Sequence, residues 1–146
     1  MTTASKNMWQ PAYRGGRLEE LEQTECLRLL VTSTVGRVGY STDDEQRIVP
    51  VNYVVFADHV VFRTSSNNEI AQYAAGRPIA FEVDHLDRYL QAGWSVLVTG
   101  VAEDLPHETL RAMDMDETPE PWASGVRSLY LQIPVGTITG RRVHPA

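Results

Sequence analysis

The stretch RIVPVNYVVFADHVVFRT, residues 47–64, limits the fold more than any other part of the chain. Two runs dense in valine and aromatic residues are separated by only Ala57 and Asp58. A two-residue gap joins neighbouring antiparallel strands and is far too short for a crossover helix, so the spacing predicts a β-hairpin. Other strand-like runs flank it. VGRVGYS (35–41) comes before the hairpin, and RPIAFEVDHL (77–86), LQAGWSVLVTGVAEDL (90–105) and SLYLQIPVGTITGRRV (128–143) come after it, the last holding one or two closing strands. About six strands of similar length with few helices point to a mainly β fold, a small antiparallel barrel. The strands do not alternate with long helices, which argues against a Rossmann-like sheet.

The helical segments are short. Apolar residues in LEELEQTECLRLLVTS recur at helical spacing and predict a helix over about 22–32. A second is expected in NNEIAQYAAG, ending at Gly76 as a C-cap, and a third in PHETLRAMDMD. Residues 1–17 read as an irregular arm and 18–146 as one domain. Within the strands, Gly36, Gly39, Gly93 and Gly100 mark bends, bulges or close approaches, and Pro50, which removes a ladder donor, marks an edge, a bulge or a ligand-facing position.

Charge and composition narrow the function. Net charge is −6 and Lys6 is the single lysine, so no basic track for a phosphodiester backbone exists and nucleic acid is not an expected partner. No apolar run has the length of a membrane span, and the opening MTTASKNMWQPAYRGGR lacks the apolar core of a secretory leader, so the expected location is the cytoplasm. The lone cysteine, Cys26, cannot form an internal disulfide and reads as a small core residue. His59, His85, His107 and His144 show no metal-ligand spacing, and no nucleophile elbow, P-loop or G-x-G-x-x-G is present. A chain with so little acid–base equipment, if it is an enzyme, relies on a cofactor.

The segment FRTSSNNEI (62–70) is the most suggestive. A hydrophobic strand leaves through Arg63 and Thr64 into a row of small polar residues. Ser66-Asn67-Asn68-Glu69 fits a capping box, which explains Ser66 and Glu69 without a ligand. The same helix start, with Arg63 and Thr64 beside it, also fits an anion site. Asn52 is a polar residue inside an apolar strand. It either bonds a neighbouring loop or meets the polar rim of a heteroaromatic ligand. Trp94 and Trp122 read as packing residues or ring partners, and Arg127 and Tyr130 as surface or interface residues.

Together, PVNY, FRT, AFEVD and GWSVLV, in this order, resemble the pyridoxamine 5′-phosphate oxidase-like flavoproteins, in the branch of small actinobacterial proteins, over about residues 18–143. The resemblance implies a split β-barrel and a homodimer with FMN in grooves at the dimer interface. It implies that Pro50, Val51, Asn52 and Tyr53 lie along the isoalloxazine ring. Arg63 and Thr64 would hold the phosphate with N–H groups near Ser66 and Asn67, and Trp94 and Ser95 would approach from a neighbouring strand or the second protomer. Many relatives carry a lysine in the first turn of the short helix, where this chain has Asn67-Asn68-Glu69. Weaker FMN binding, a larger share for Arg63 or a different ligand would each follow from that departure. The implied function is an FMN-dependent oxidoreductase of a small molecule, its substrate and electron donor not readable here. The alternatives are a non-catalytic flavin-binding or sequestering protein and a relative that binds F420 or haem, which rank behind FMN. No catalytic residue is assigned, Tyr53 being the nearest acid–base candidate. Pyridoxamine-phosphate oxidation itself is not expected, because TGRRVHPA supplies only Arg141, Arg142 and His144 at the C-terminal end.

Overall fold

The computed structural model describes residues 15–65, 67–114, 117–122, 124–125 and 129–146. Ser66 and Arg127, and residues 1–14 of the expected arm, lie outside the described residues. Nine strands and three α-helices are present among those described: β1 (Arg17–Glu20), α1 (Gln23–Leu30), β2 (Val35–Ser41), β3 (Gln46–Phe56), β4 (His59–Thr64), α2 (Glu69–Tyr73), β5 (Pro78–Asp87), β6 (Ala92–Val101), β7 (Glu103–Asp104), α3 (His107–Ala112), β8 (Leu129–Pro134) and β9 (Ile138–His144). The strands form one curled antiparallel sheet in the order β1-β9-β6-β5-β2-β3-β4-β8-β7. The mainly β split-barrel expectation holds, with more strands than the expected six. The additions include β1 and β7, four and two residues long, which exist because they pair along β9 and β8. Arg17, expected in the arm, begins β1.

The predicted hairpin is β3–β4, closed by Ala57 and Asp58 between the paired Phe56 and His59. Both turn residues have positive φ, 49° and 59°. That geometry matches the twist of the flanking strands but suits Asn-Gly better than Ala-Asp. The split arises in the middle of β3. Its Val35–Ser41 partner, β2, pairs with Gln46 through Asn52, whereas β4 pairs only with Tyr53 through Phe56. Beyond Tyr53↔Phe62 the two strands of the hairpin part: Pro50–Asn52 stay with β2, and Arg63–Thr64 stay with β8. Pro50 therefore sits where β3 has a neighbour on one side only, and its missing N–H costs no ladder bond.

The core fills the curl. Tyr53, Phe62, Phe81, Leu30, Leu131 and Ile133 are its largest fully buried side chains. Gly36 is required there: a Cβ would lie 2.2 Å from the Phe81 ring, which itself meets Tyr53 edge-on at 4.7 Å between centroids. Cys26 is fully buried, as expected, and Gly140 makes room for it, since a Cβ there would lie 2.7 Å from its sulfur. A smaller cluster, Val61, Leu105 and Met113, sits under α3. No helix among the described residues is long and apolar enough to cross a membrane.

Candidate functional site

The parting of β3 and β4 opens a cleft of about 140 Å³ lined by Pro50, Val51, Asn52, Arg63, Thr64, Asn68, Ile70 and Pro121. A larger one, about 520 Å³, adjoins it and shares Arg63 and Pro121. Its other walls are Thr34, Tyr53, Val54, Thr118, Pro119, Glu120 and Trp122. Six of the expected cofactor residues thus surround one continuous region: Pro50, Val51, Asn52 and Thr64 in the small cleft, Tyr53 in the large one, and Arg63 between them.

Arg63, Thr64 and Asn68 are at the small end. Arg63 is half-buried, and its guanidinium lies 5.1 Å from the ring centroid of Tyr130, its partner on β8. The flat ring supports the guanidinium through its π face, which fixes the cation's direction. Thr64 is almost fully buried, and its Oγ1 accepts a hydrogen bond from Asn68 Nδ2 at 2.7 Å. A hydroxyl that accepts from one partner keeps its own proton to donate to another. Asn68 is fixed at its other end, because its Oδ1 accepts from the Ala71 N–H at 3.1 Å and caps α2.

Two readings of FRTSSNNEI change here. The capping residue of α2 is Asn68, and the helix begins at Glu69. Glu69 is therefore in the first helical position and does not reach back to close a capping box. Its Oε1 instead accepts from the Tyr40 hydroxyl at 2.7 Å and from Arg47 Nε at 3.2 Å, on the β2–β3 side. The Glu69 carboxylate is thus engaged on the sheet and is not a wall of the small cleft. Burial, helped by the Glu69 hydrogen bond, pushes the Tyr40 phenol up to about 12. Second, α2 spans five residues, too short for a substantial summed dipole, so the helix start by itself does not make an anion site. Asn67 is exposed, accepts from Ser65 Oγ, and lines neither cleft.

Asn52 does bond a neighbouring loop: its Oδ1 accepts from the Trp122 N–H at 3.0 Å. Tyr53 places its hydroxyl in the protein interior, donating to the Leu30 carbonyl, and burial pushes the phenol up to about 12. As an acid–base group it is poorly suited, because its proton is held by the core and does not face the cleft. Glu120 and Trp122, which are not among the expected cofactor residues, both line the large cleft. From the sequence Trp122 is open as a packing residue or a ring partner, whereas Glu120 gives no signal in a proline-rich connection without periodicity. Trp94 and Ser95 are elsewhere in the chain. They line a separate cleft of about 570 Å³ at the β5–β6 hairpin, with Leu86, Arg88, Arg141 and Val143 among its walls. That cleft has no wall residue in common with the Arg63 clefts. Among the described residues no group of three or more histidine, cysteine or acidic side chains forms a metal site.

The chain is thus a curled antiparallel half-barrel that splits at the β3–β4 hairpin beside a cleft lined by Arg63 and Thr64. The chain belongs to the pyridoxamine 5′-phosphate oxidase family, whose model matches residues 22–142. An uncharacterized protein of Mycobacterium tuberculosis is 30% identical over 131 residues, covering 85% of this chain and 84% of that one. An FAD-binding protein of Mycobacterium smegmatis is 29% identical, with a TM-score of 0.68 over 86% of this chain and 98% of its own. An FAD- and haem-binding protein of the same organism shares the fold at 16% identity, with a TM-score of 0.65 over 88% of this chain and 75% of its own.

Proposed function

We propose that this chain binds a flavin nucleotide, FMN in the first place, and uses it as an oxidoreductase of a small molecule. The observation that carries this reading is that Arg63 and Thr64 both line the small cleft where the sheet splits, with Glu69 turned away to Tyr40 and Arg47. A phosphate there would receive a cation and a neutral donor with no facing carboxylate from Glu69. The adjoining cleft has mixed walls: Val54, Pro119, Pro121 and Trp122 offer apolar surface to a flat ring, and Thr34, Arg63, Thr118 and Glu120 offer polar groups to its rim. The resemblance of the chain to an FAD-binding relative at 29% identity supports a flavin as the ligand class. A bound flavin would supply two-electron redox chemistry. The residues of this chain would hold its phosphate, wall its ring and leave Glu120 as a carboxylate beside the larger cleft.

A second copy of the chain would complete the site. Trp94 and Ser95 face a different cleft within one chain, so their expected contact with the flavin requires a homodimer. A non-catalytic flavin carrier is the second reading, favoured by the internal hydrogen bond that withdraws the Tyr53 hydroxyl from the cleft. Haem fits this site less well, because no histidine lines either cleft around Arg63 among the described residues. Titration of the purified protein with FMN and FAD, followed by visible absorption and flavin fluorescence, tests the proposal. Saturable binding with altered flavin bands supports it, and reduction of the bound flavin by NADH or NADPH with reoxidation by a substrate separates enzyme from carrier. A protein that leaves both flavins spectrally unchanged would overturn it.

A further inference from the structure

Trp122 presents an anomaly that packing does not explain. Its side chain is 78% exposed, yet its backbone is pinned: the Trp122 N–H donates to Asn52 Oδ1 on β3 at 3.0 Å. Pro119 and Pro121 precede it, each with a fixed φ that stiffens the connection. A large indole is thus carried, unburied, on a segment whose backbone is hydrogen-bonded across 70 residues to β3. It lines the same large cleft as Thr34, Tyr53 and Val54, and that cleft is continuous with the phosphate-sized one through Arg63 and Pro121.

Resting on the flavin reading above, we infer that Trp122 is the stacking surface for the isoalloxazine ring, and that Asn52 is the positioning residue that holds it there. The two clefts set the order. β3 runs from Pro50 in the small cleft, beside Arg63 and Thr64, to Tyr53 and Val54 in the large one. A ligand anchored by its phosphate at the small end extends its ring toward the Trp122 wall. An exposed indole gains most from a flat, electron-poor ring, because it covers apolar area and adds π stacking with little conformational cost. Asn52 thus acts on the ring through the loop.

Titration of wild type, Trp122→Ala, Trp122→Phe, Asn52→Ala and the Asn52→Ala/Trp122→Ala double variant with riboflavin, FMN and FAD tests this. Trp122→Ala is expected to weaken all three ligands by about tenfold, within the range of ring stacking on an aromatic side chain. It should also restore part of the bound flavin's fluorescence, while Trp122→Phe keeps most of the affinity. The double variant should bind no worse than Trp122→Ala alone, because Asn52 acts through the tryptophan. Unchanged FMN affinity in Trp122→Ala would overturn the inference. So would a loss confined to FAD, which would put the adenine on the indole. A wild type that binds no flavin would instead defeat the proposed function, so the two failures are separate. Since Trp122 is exposed, melting of Trp122→Ala should match wild type, and Trp122→Phe provides the check if it does not.

Discussion

Arg63 carries the largest single share of the proposed site. Its guanidinium is already oriented by Tyr130, so a phosphate beside Thr64 would gain a charged hydrogen bond at small ordering cost. Such a bond contributes about 1.5–3 kcal/mol. Arg63→Ala should therefore weaken FMN about tenfold or more, with little change in melting temperature, as read by fluorescence titration. Equal affinity would remove Arg63 from the site. Glu69 makes the opposite prediction. Its carboxylate is half-exposed and engaged by Tyr40 and Arg47, and pairs of that kind couple weakly to a distant anion. Glu69→Gln should change flavin affinity by less than about threefold, the ~0.6 kcal/mol scale of exposed charge effects. A large gain would mean that the carboxylate opposes the phosphate after all. At this scale the sequence was informative wherever a polar residue broke an apolar pattern, as Asn52, Arg63 and Thr64 do. It was uninformative where no pattern existed to break. Glu120 lies among prolines and gave no signal, and the choice between packing and ring partner for Trp122 turns on a hydrogen bond from 70 residues away. The direction of Glu69 was equally hidden, since only the fold brings Tyr40 and Arg47 to it.

Among the elements, the β3–β4 hairpin was legible because two-residue connections leave one topology. Its turn is nevertheless strained. Ala57 and Asp58 both occupy the left-handed region, where a Cβ crowds the following carbonyl at a cost of about 1–2 kcal/mol per residue. Replacing the pair by Asn-Gly should stabilise the protein by about 1 kcal/mol or more, which for a domain of this size raises Tm by about 2–4 °C. No rise in a thermal melt would show that the Val135 N–H bond to the Asp58 carbonyl already fixes this turn. Helix α1 is tied to β9 by Glu25, which receives hydrogen bonds from Arg28 at 2.6 Å and from Arg142 at 2.9 Å. Those bonds hold its carboxyl at about 2, below the ordinary 4.5. The sign follows from linkage: between those two values the unfolded chain binds the proton more readily, so stability falls as pH falls through that window. Glu25→Gln should flatten this part of the stability–pH curve, measured by melting at a series of pH values. An unchanged slope would assign the acid sensitivity to other carboxylates. Strands β1 and β7 were not legible, because segments of four and two residues are strands only by virtue of their neighbours.

One chain does not bring the expected site residues together. Trp94 and Ser95 line one cleft, Arg63 and Thr64 another. Between them runs the solvent side of the sheet. Register places Ile48, Gly39, Ala80 and Thr99 in one row across β3, β2, β5 and β6, and Pro50, Arg37, Glu82, Leu97 and Thr139 in the next. Ile48 is 75% exposed and Leu97 39% exposed, while Arg37 is neutralised within the same face by Glu82 at 2.9 Å and Asp84 at 3.4 Å. Small floor residues with internally paired charge suit a self-complementary contact, which needs about 800 Å² from each partner. The homodimer proposed above would use this face and bring the Trp94 cleft of one copy to the Arg63 cleft of the other. Light scattering should then give twice the chain mass of 16.4 kDa. Ile48→Arg with Leu97→Arg should yield a folded monomer, because both positions face solvent in a single chain. Flavin affinity should drop in that monomer by as much as Trp94→Ala lowers it in the dimer, and combining the changes should add nothing further. A monomeric wild type with full flavin affinity would break the two-chain site and leave the β3–β4 split as the whole of it.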